Sequence, residues 1–463
     1  MTLAKAITLV VLAALALGPA GAADAAGTLP APPATASAAG AVAARKLPAD
    51  IDLSKPLSLV DCARVALALN PGLAVSGQQV IQAKDVAIQA RAVLLPNLSA
   101  GADVISAQAL TSGALGGSGL STTGRSTDRD LSLQLNETFF QSGVPQQIAA
   151  ARAALLAARW GFNDARRTLL LSVAQTYYNV LAAKALVAVD QQAVKDDTAH
   201  LDEANARIEA GTAAKSDRYP FDVQLQQDLV QAITAVNQAT LSTNALKQIL
   251  GLPASTQLTV AESLGRPPAP EKVEDMLAAA MEQRPDILQG KAQVEAAHQS
   301  TKAAEIKQGP VLTASGSDNY GMHTDLTGNA WQVEAAVSMP IFDAGVSRAA
   351  AESARAAEQI AREDLRQVEL TASQDVENNF VSAVAANQEI DAAQTATAAA
   401  QQSLQAAEEK YKGGIGTVID VTDAELRLEQ ARTSEVQARY NYNTALAALR
   451  ASVGQAAIEG LQP

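Results

Sequence analysis

The chain has 463 residues, of which 48% are hydrophobic but only 3% aromatic, and its formal net charge is −13. Much of the hydrophobic fraction is alanine, which favours helices but buries little area, so long and closely packed helices fit better than a compact core. The negative charge excludes nucleic acid as a partner, because such a partner requires a basic face. One cysteine, Cys62, excludes an internal disulfide, and three scattered histidines leave little for a histidine metal site.

The N-terminus has the pattern of a secretory signal peptide. Lys5 precedes an apolar run from Ala6 to Leu17, and Ala20-Gly21-Ala22 then has the form that signal peptidase cleaves. We therefore expect residues 1–22 to be removed after export, and residues 23–50, rich in Ala and Pro, to form a flexible leader. The alternative, a membrane-spanning helix, is disfavoured because a span needs about 20 apolar residues.

No later apolar run reaches about 18 residues, the length at which a spanning helix is expected. A mature chain that enters a membrane must then do so as the strands of a closed β-barrel, which satisfies every backbone polar group. No cysteine follows the N-terminal apolar run, so no lipid anchor is expected there. Cys62 is interpreted as a small buried residue of a helix.

The chain contains two repeats, the first over residues 51–254 and the second over residues 271–454. Pro71 recurs as Pro285 after 214 residues, and Gly251 recurs as Gly454 after 203 residues. Each repeat predicts two helices broken by a proline, then a β-hairpin, then a long helical hairpin with a tight glycine turn. The β-hairpins are predicted at 97–140 and 311–342 and the helical hairpins at 145–250 and 346–453, with a tail at 455–463.

Alternation of side chains identifies the strands. In the second strand, Leu131, Leu133 and Leu135 point to one side, and Trp331 begins a similar row in the fourth. A loop rich in Gly, Ser and Thr, Thr111 to Asp128, is predicted between the first two strands. Apolar alternation with aromatic residues near strand ends is typical of a transmembrane barrel, with a soluble hairpin buried on one face as the alternative.

The predicted long helices have about 65 residues each and span roughly 100 Å. Apolar residues recur at coiled-coil spacing, as at Leu170, Val173 and Tyr177, so these helices must pack against neighbours. Four strands are too few to close a membrane barrel, which needs at least about eight. The predicted fold is therefore mixed and mainly α: a long-helix α-barrel joined to a trimeric, 12-stranded transmembrane β-barrel, with four strands from each chain.

The order and duplication of these features resemble the TolC-type outer membrane efflux proteins. The resemblance covers about Leu57 to Gly454 and rests on the Asn70-Pro71 and Arg284-Pro285 steps, the Phe-x-x-Gly-Val turns ending at Val144 and Val346, and the stretch Gly414 to Asp423. It implies a homotrimer in the bacterial cell outer membrane that extends into the periplasm. The implied partners are outer membrane lipid, a periplasmic adaptor (membrane fusion) protein and an inner-membrane pump of the RND or ABC type. The implied substrates are drugs, toxic small molecules, metal ions or secreted proteins, the last as in type I secretion.

The resemblance also implies roles for residues near the tips of the helical hairpins. Asp420 and Asp423 match two aspartates that ring the pore aperture, and their spacing of three residues puts them on one helix face. The alternative for these aspartates is a role in capping the helix N-terminus. The network that holds the aperture closed matches Tyr411, Ser216 and Asp217.

Within that network, the Tyr411 hydroxyl is expected to donate to Asp217 of the neighbouring hairpin. Gly416 stands where the family's gate arginine is expected, so the gate is predicted to be held more loosely or by other contacts. The adaptor is expected to contact the hairpin tips, and the alternative is that the tip glycines serve only the turns. The residues at these tips are Gly211, Thr212, Gly414 and Ile415.

No sequence pattern of an enzyme is present. Gly116-Gly117-Ser118-Gly119 lacks the Gly-Lys-Ser/Thr of a P-loop, and no H-E-x-x-H, C-x-x-C or G-x-S-x-G occurs. We therefore expect no catalytic residues, cofactor or metal site, and we interpret the many helical Asp and Glu residues as solvated. The alternative from another class is a non-pore periplasmic coiled-coil scaffold or adhesin, which does not account for alternating strands in both repeats.

Overall fold

The computed structural model describes residues 51–111, 122–261, 266–270, 272–322, 327–455 and 457–458. The predicted signal peptide and the whole of the predicted leader lie outside this part of the chain. Helices make up most of the described residues, and the strands form one small antiparallel sheet.

Both halves of the chain run through the same order of elements. The first half contains α1 (Leu59–Leu69), α2 (Pro71–Ala92), β1 (Asn97–Thr111), β2 (Thr122–Gln141), α3 (Val144–Glu209) and α4 (Arg218–Leu250). The second half contains α5 (Val273–Gln283), α6 (Pro285–Glu305), β3 (Val311–Met322), β4 (Thr327–Ser338), α7 (Val346–Lys412) and α8 (Val418–Ser452). α3 and α7 contain 66 and 67 residues, so each is about 100 Å long.

The residue before each helix-breaking proline forms a hydrogen bond that connects the junction of the two short helices to the last turn of a long hairpin. Asn70 caps α2 by accepting from Leu73 N at 3.0 Å, and its Nδ2 donates to Ile249 O at 2.8 Å. Arg284, which is buried, occupies the corresponding place in the second half, where its Nη1 donates to Ser452 O at 3.2 Å. The two side chains differ in type but both reach the last turn of the returning helix.

The strands form one sheet in the order β1-β2-β3-β4, and each neighbouring pair is antiparallel. The register pairs Leu133 with Asp318 and Asp318 with Trp331, so the apolar rows of β2 and β4 lie on one face. A bulge between Thr138 and Phe140 turns Phe140 onto this face as well. Leu133 is 47% exposed and Trp331 75% exposed, so the apolar face is open in the single chain.

The strands differ from the predicted bounds at two places. β2 begins at Thr122 and pairs with Thr111, whereas the sequence predicts a loop from Thr111 to Asp128. Backbone pairing needs no apolar alternation, so β2 includes the polar residues 122–128, while residues 112–121 of the predicted loop lie outside the described part of the chain. β4 ends at Ser338, before the predicted limit of 342, and Pro340, which has no N–H to donate to a partner strand, follows.

The largest buried cluster lies where the short helix α1 packs against the long helices. It contains Cys62, Tyr177 and Leu250, and also Ile458, which is 2% exposed. The tail that was predicted to begin at 455 therefore contributes to the core. Burial raises the pKa of the Cys62 thiol to about 12, so this cysteine is a small core residue with little nucleophilic thiolate.

Within the described residues, no single helix is both long and apolar enough to cross a membrane. α1 and α2 meet these requirements only as a pair, and they are bent by 47° where they join. This finding rests on length and composition alone.

Candidate functional site

The predicted site residues lie where the long hairpins reverse direction, between α3 and α4 and between α7 and α8. In the first turn Gly211 has φ +76°, and Thr212 N and Oγ1 donate to Arg207 O at 2.9 and 3.0 Å. In the second turn Gly414 has φ +74°. Residues with a Cβ are strained at these angles, so the turns themselves account for both glycines.

The four residues predicted to contact an adaptor are exposed. A Cβ built at Gly211 or Gly414 would meet no other atom within 4 Å. Ile415 is 83% exposed, which leaves one large apolar side chain at the tip of the second hairpin. The tips therefore present small, accessible backbone and one apolar contact, with no neighbour from the described chain covering them.

Asp420 and Asp423 lie in the first turns of α8, and both are exposed. Thr417 N and Oγ1 donate to Asp420 Oδ2 at 2.8 and 2.7 Å, and Thr417 Oγ1 accepts from Asp420 N at 3.3 Å. This reciprocal cap stabilises the helix N-terminus, and the donation from Thr417 lowers the pKa of Asp420 below its ordinary value. Asp420 thus stays charged at neutral pH while it serves as a cap, and Asp423 points a second carboxylate outward.

Ser216 and Asp217 lie in a single 3₁₀ turn, Lys215–Asp217, that joins the first hairpin tip to α4. Asp217 Oδ2 accepts from Ala214 N at 3.3 Å, and Ser216 Oγ donates to Asp217 Oδ1 at 3.3 Å. The carboxylate is therefore occupied within its own turn. The predicted hydrogen bond from Tyr411 to Asp217 is not formed within this chain.

Tyr411, at the end of α7, lies between the two hairpins. Its hydroxyl is buried and has no hydrogen-bond partner among the described residues. Its ring meets Phe221 edge-on, with 6.1 Å between centroids, and desolvation raises the pKa of the phenol above its ordinary value. The side chain is therefore a packing residue within the chain, and its hydroxyl is a buried polar atom without a hydrogen-bond partner in the described part of the chain.

Arg207, which the sequence analysis did not identify, supplies a cation at this place. Its guanidinium carbon lies 4.6 Å from the centroid of the Tyr411 ring, and its Nη1 and Nη2 donate to Tyr411 O and Lys412 O at 3.3 and 3.4 Å. A Cβ at Gly416 would lie only 3.0 Å from Lys410 Cβ and Tyr411 N. A side chain at Gly416 would require these neighbouring atoms to move by a few tenths of an ångström, and the cation at this place belongs to the first hairpin.

The buried aromatic contacts continue away from the tips. The rings of Phe221 and His200 are stacked with 5.8 Å between centroids, and His200 Nε2 lies 2.7 Å from Glu425 Oε1. The hydrogen bond to Glu425 raises the pKa of His200. A continuous line of side chains thus joins Arg207 at the turn to an acidic region between the hairpins.

The prediction that the Asp and Glu side chains of the helices are solvated is wrong for this acidic region. Asp190, Asp197, Asp228 and Glu429 are buried, with exposed fractions from 2% to 9%. Asp190 and Asp197 are seven residues apart, and the next residue at that step, Ala204, is buried too, so the acids occupy the packed face of α3. Among the described residues, no group of three or more His, Cys, Asp or Glu is arranged to hold a metal ion.

Comparison with known proteins agrees with this architecture. The family model described as outer membrane efflux protein matches residues 63–252 and 276–455. The outer membrane protein TolC of Escherichia coli K12 is 26% identical over 407 residues, which cover 84% of this chain and 80% of TolC. The pyoverdine export outer membrane protein OpmQ of Pseudomonas aeruginosa is 28% identical over 409 residues, which cover 84% of this chain and 82% of OpmQ.

A solved structure shows the same fold. The CmeC outer membrane channel of Campylobacter jejuni matches with a TM-score of 0.74 at 17% identity, over 86% of this chain and 85% of CmeC. The sequence matches cover both halves of the chain, and the structural match covers nearly all of the described residues. The chain therefore belongs to the outer membrane efflux protein family and is a TolC-type protein of the outer membrane that extends into the periplasm.

Proposed function

We propose that three copies of this chain form the passive exit duct of a tripartite export system, powered by an inner-membrane pump through a periplasmic adaptor. One observation carries the proposal: a single chain joins a four-stranded sheet with an exposed apolar face to helical hairpins about 100 Å long. A sheet of this kind suits lipid, and helices of this length suit the periplasm. A duct needs no catalytic group of its own.

The sheet supports a trimer. Its outer strands, β1 and β4, each pair on one side only within the described chain. An unpaired edge is not stable in lipid, because its N–H and C=O groups have no partner there. Joining β4 of one copy to β1 of the next removes every edge, and three copies reach twelve strands, above the minimum of about eight for a membrane barrel.

The helices support the same assembly. α4 presents an apolar stripe whose members Val223, Val230 and Ile233 are 58%, 65% and 70% exposed. Val223 and Val230 lie on an open face of α4, together with glutamine side chains of the same helix. A neighbouring copy that packs its own helix against this face would remove the stripe from water, where it is unfavourable.

In such a trimer, Asp420 and Asp423 would form two rings of three carboxylates at the periplasmic mouth. Rings of carboxylates attract cations and repel anions in a narrow opening. The Asp420 carboxylate is both exposed and hydrogen-bonded to Thr417, so the same group can cap α8 and contribute its charge to a ring. Tyr411, Ser216 and Asp217 would close the mouth between copies, and Arg207 would hold the two turns of each copy together.

The exposed tips Gly211, Thr212, Gly414 and Ile415 are the proposed contact for the adaptor. Passage of drugs, toxic small molecules or secreted proteins through the duct fits a chain with no nucleotide site. The alternative function, a coiled-coil scaffold or adhesin without a pore, is disfavoured because it does not account for the exposed apolar face of the sheet.

Single-channel current across a planar lipid bilayer tests the proposal. The mature trimer is expected to give cation-selective currents, and Asp420→Asn with Asp423→Asn is expected to lose most of the selectivity. Asparagine keeps an oxygen that accepts from Thr417, so the charge is removed while the cap remains. Thr417→Ala is the matched control, since it weakens the cap by about 1 kcal/mol and leaves both charges.

The outcomes separate the hypotheses. Currents whose selectivity is the same in the Asp-to-Asn double variant would keep the duct and return the two aspartates to helix capping. If Thr417→Ala, which keeps both charges, also lost the selectivity, the change in selectivity would be due to helix geometry rather than to charge. Well-folded trimers that neither insert nor carry current would favour the scaffold.

A further inference from the structure

The buried acids between the two long hairpins form a compact cluster that the duct proposal does not use. Asp197 on α3 and Asp228 on α4 are each 2% exposed, and Glu429 on α8 is 9% exposed. Glu425, one turn before Glu429, has a side chain that is 10% exposed. Assembly into a trimer can only bury these side chains further, so their removal from water does not depend on the oligomeric state.

The carboxyl groups of the cluster lie beside one another. Asp197, Asp228 and Glu425 line one small space between the hairpins. Gln224 Nε2 donates to Asp228 Oδ1 at 2.9 Å, whereas Asp197 Oδ2 is buried with no donor from the described chain. Among the described residues, neither Asp197 nor Asp228 forms an ion pair with a Lys, Arg or His.

A small space lies at the centre of the cluster. It is a cavity of about 30 Å³, and Asp197, Asp228 and Glu429 line it together with the apolar residues Leu404 and Leu428. This volume accommodates about one water molecule. The other titratable or charged groups that face the cluster are Asp190, Asp196 and His200 on α3, Glu408 on α7 and Glu425 and Arg432 on α8.

The cations among these groups have partners elsewhere. His200 Nε2 lies 2.7 Å from Glu425 Oε1 and 3.9 Å from Glu408 Oε1. Arg432 donates to Gln401 Oε1 at 3.0 Å and lies 4.0 Å from Asp196 Oδ2. Neither cation therefore neutralises Asp197 or Asp228 directly, and no arrangement of the described residues suits a metal ion.

Two ionised carboxylates can only accept hydrogen bonds and they repel each other, so adjacent buried carboxyl groups without a cation between them favour a proton on one of them. Asp197 Oδ2, which is buried without a donor from the described residues, is the oxygen left for this proton. We propose that the cluster is a proton-binding site, in which a proton taken from solvent onto Asp197 is donated to Asp228 or Glu425 and fastens the two long hairpins together. When this proton returns to solvent, two adjacent carboxylates repel each other between α3, α4 and α8.

The electrostatic environment agrees with the geometry. Desolvation, followed by the contacts with Asp228 and Glu425, raises the pKa of Asp197 far above its ordinary value. Desolvation and the charges of Asp228 and Asp190 raise the pKa of Glu429 to about 7. A second group thus binds a proton close to neutral pH in the same cluster.

The sign of the pH dependence follows from these directions. An unfolded Asp has a pKa near about 3.9, so over the range above it the folded chain holds protons that the unfolded chain has lost. The contribution to stability is complete below about pH 4 and decreases as the pH rises through the folded pKa values. The hairpins are therefore held most tightly on the acid side of neutrality, about 20 Å from the turn at Gly211.

The test is the thermal unfolding midpoint of the full-length chain in detergent, measured from about pH 5 to pH 9. Asp197→Asn keeps the shape and supplies an N–H donor that needs no proton. At about pH 8.5 this variant is expected to melt at least about 2 °C above the wild type, with little difference at about pH 5. The matched control is Asp196→Asn on the same helix, whose side chain is 40% exposed and lies beside Arg432.

A second readout detects the proton itself. Infrared spectra at neutral pH should contain the carbonyl band of protonated carboxyl groups, and Asp197→Asn should weaken that band, because only the contribution of Glu429 would then be left, while Asp196→Asn keeps it at full intensity. If Asp197→Asn does not fold, Asp228→Asn replaces it in the test. This variant should likewise make the unfolding midpoint less dependent on pH. The proposal is independent of conduction, so it can fail or hold whether or not the trimer carries current.

Three results would overturn the proton site. The first is an Asp197→Asn variant that melts below the wild type at every pH. The second is a neutral-pH spectrum of the wild type without a protonated carboxyl band. The third is an increase in the wild-type midpoint on addition of calcium or magnesium at fixed pH, reversed by a chelator and absent in Asp197→Asn, since that would make the cluster a cation site.

Discussion

At the scale of single residues, Arg207 connects the two hairpin turns of one chain. Its backbone carbonyl accepts from Thr212 in the first turn, while its guanidinium donates to the carbonyls of Tyr411 and Lys412 in the second. The same guanidinium lies over the Tyr411 ring, where a cation gains about 0.5–2 kcal/mol. One side chain thus satisfies free carbonyls at the end of α7 and holds the aromatic ring in place.

Arg207→Ala is expected to loosen the second turn without unfolding the chain. Loss of two carbonyl contacts and the ring contact should cost about 1–2 kcal/mol locally, which corresponds to about 5- to 30-fold faster amide hydrogen exchange. Hydrogen exchange with mass spectrometry of peptides covering Lys412 to Thr417 measures this change. Arg207→Lys should be intermediate, because it keeps the charge but loses the planar fork.

Arg218→Ala is the control for this prediction. Arg218 also lies near an aromatic ring, at 5.9 Å from the centroid of Tyr219, but both residues are exposed and lie outside the second turn. It should leave exchange in the second turn unchanged. Equal exchange in wild type and Arg207→Ala would show that Arg207 does not hold the turn.

The residues that sequence reasoning missed share a physical cause. Arg207 was not identified because its partners are backbone carbonyls more than 200 positions away, and such partners have no sequence signature. Asp197 carried a signal that was not used: it follows Asp190 by seven residues on a helix with coiled-coil spacing. Aspartate on that face was assigned to solvent because of its charge, although position in the heptad decides burial.

At the scale of elements, the breaks between short helices depend on the residue before proline. Arg284 is 3% exposed and donates to Asp286, Asp375 and the carbonyls of Ala372 and Ser452. It therefore joins α5, α6, α7 and the end of α8. Asn70 makes fewer contacts at the corresponding place, where it caps α2 and reaches α4.

Arg284→Ala is expected to destabilise the chain by about 3–5 kcal/mol, because Asp286 and the carbonyls lose a buried cation. Asn70→Ala removes one cap and should cost about 1–2 kcal/mol. The thermal unfolding midpoint at neutral pH, which should be lower for Arg284→Ala than for Asn70→Ala, measures the difference. A midpoint for Arg284→Ala at or above that of Asn70→Ala would mean that Arg284 does not stabilise the chain more than Asn70.

The pH dependence of the Arg284 site has the opposite sign to that of the acid cluster. Burial alone would raise the pKa of Asp286, but the hydrogen bonds and charge of Arg284 lower it below its ordinary value. This contribution to stability is present above the unfolded pKa of about 3.9 and is lost as the pH falls through the folded pKa. In Arg284→Ala burial alone would raise the pKa of Asp286, so this loss of stability on the acid side should disappear, which acid titration of the unfolding midpoint would detect.

The presence and order of the helices and strands were easier to predict from the sequence than the residues at which they begin and end. Proline at the first position of α2 and α6 ends the preceding helix, and glycine at the tips ends the long helices, both for local reasons, so the breaks were visible in the sequence. The start of β2 at Thr122 was not, because its partner is β1 and the pairing needs no particular side chains. The burial of Ile458 was also missed, since contact of a short tail with α1 and α3 depends on the whole fold.

At the scale of the whole molecule, the chain leaves two kinds of surface without a partner. One is the apolar face and the edges of the sheet, and the other is the stripe on α4 that includes Val223, Val230 and Ile233. The opposite side of α4 faces α3 through buried residues such as Phe221 and Asp228. α4 is therefore apolar on its outer side as well as packed on its inner side, which is typical of a helix between two neighbours.

Ile233→Glu tests whether a second copy covers this stripe. A glutamate at an interface loses its hydration, so the substitution should convert most trimers to monomers while the chain keeps its own hairpin packing. Light scattering coupled to size-exclusion chromatography in detergent gives the oligomeric state, and circular dichroism checks the helices. Ile233→Val keeps an apolar side chain at the same place and should remain trimeric. If Ile233→Glu is also trimeric and folded, the subunit interface lies on another face of the helices, and the apolar stripe must be covered by a different partner such as the adaptor.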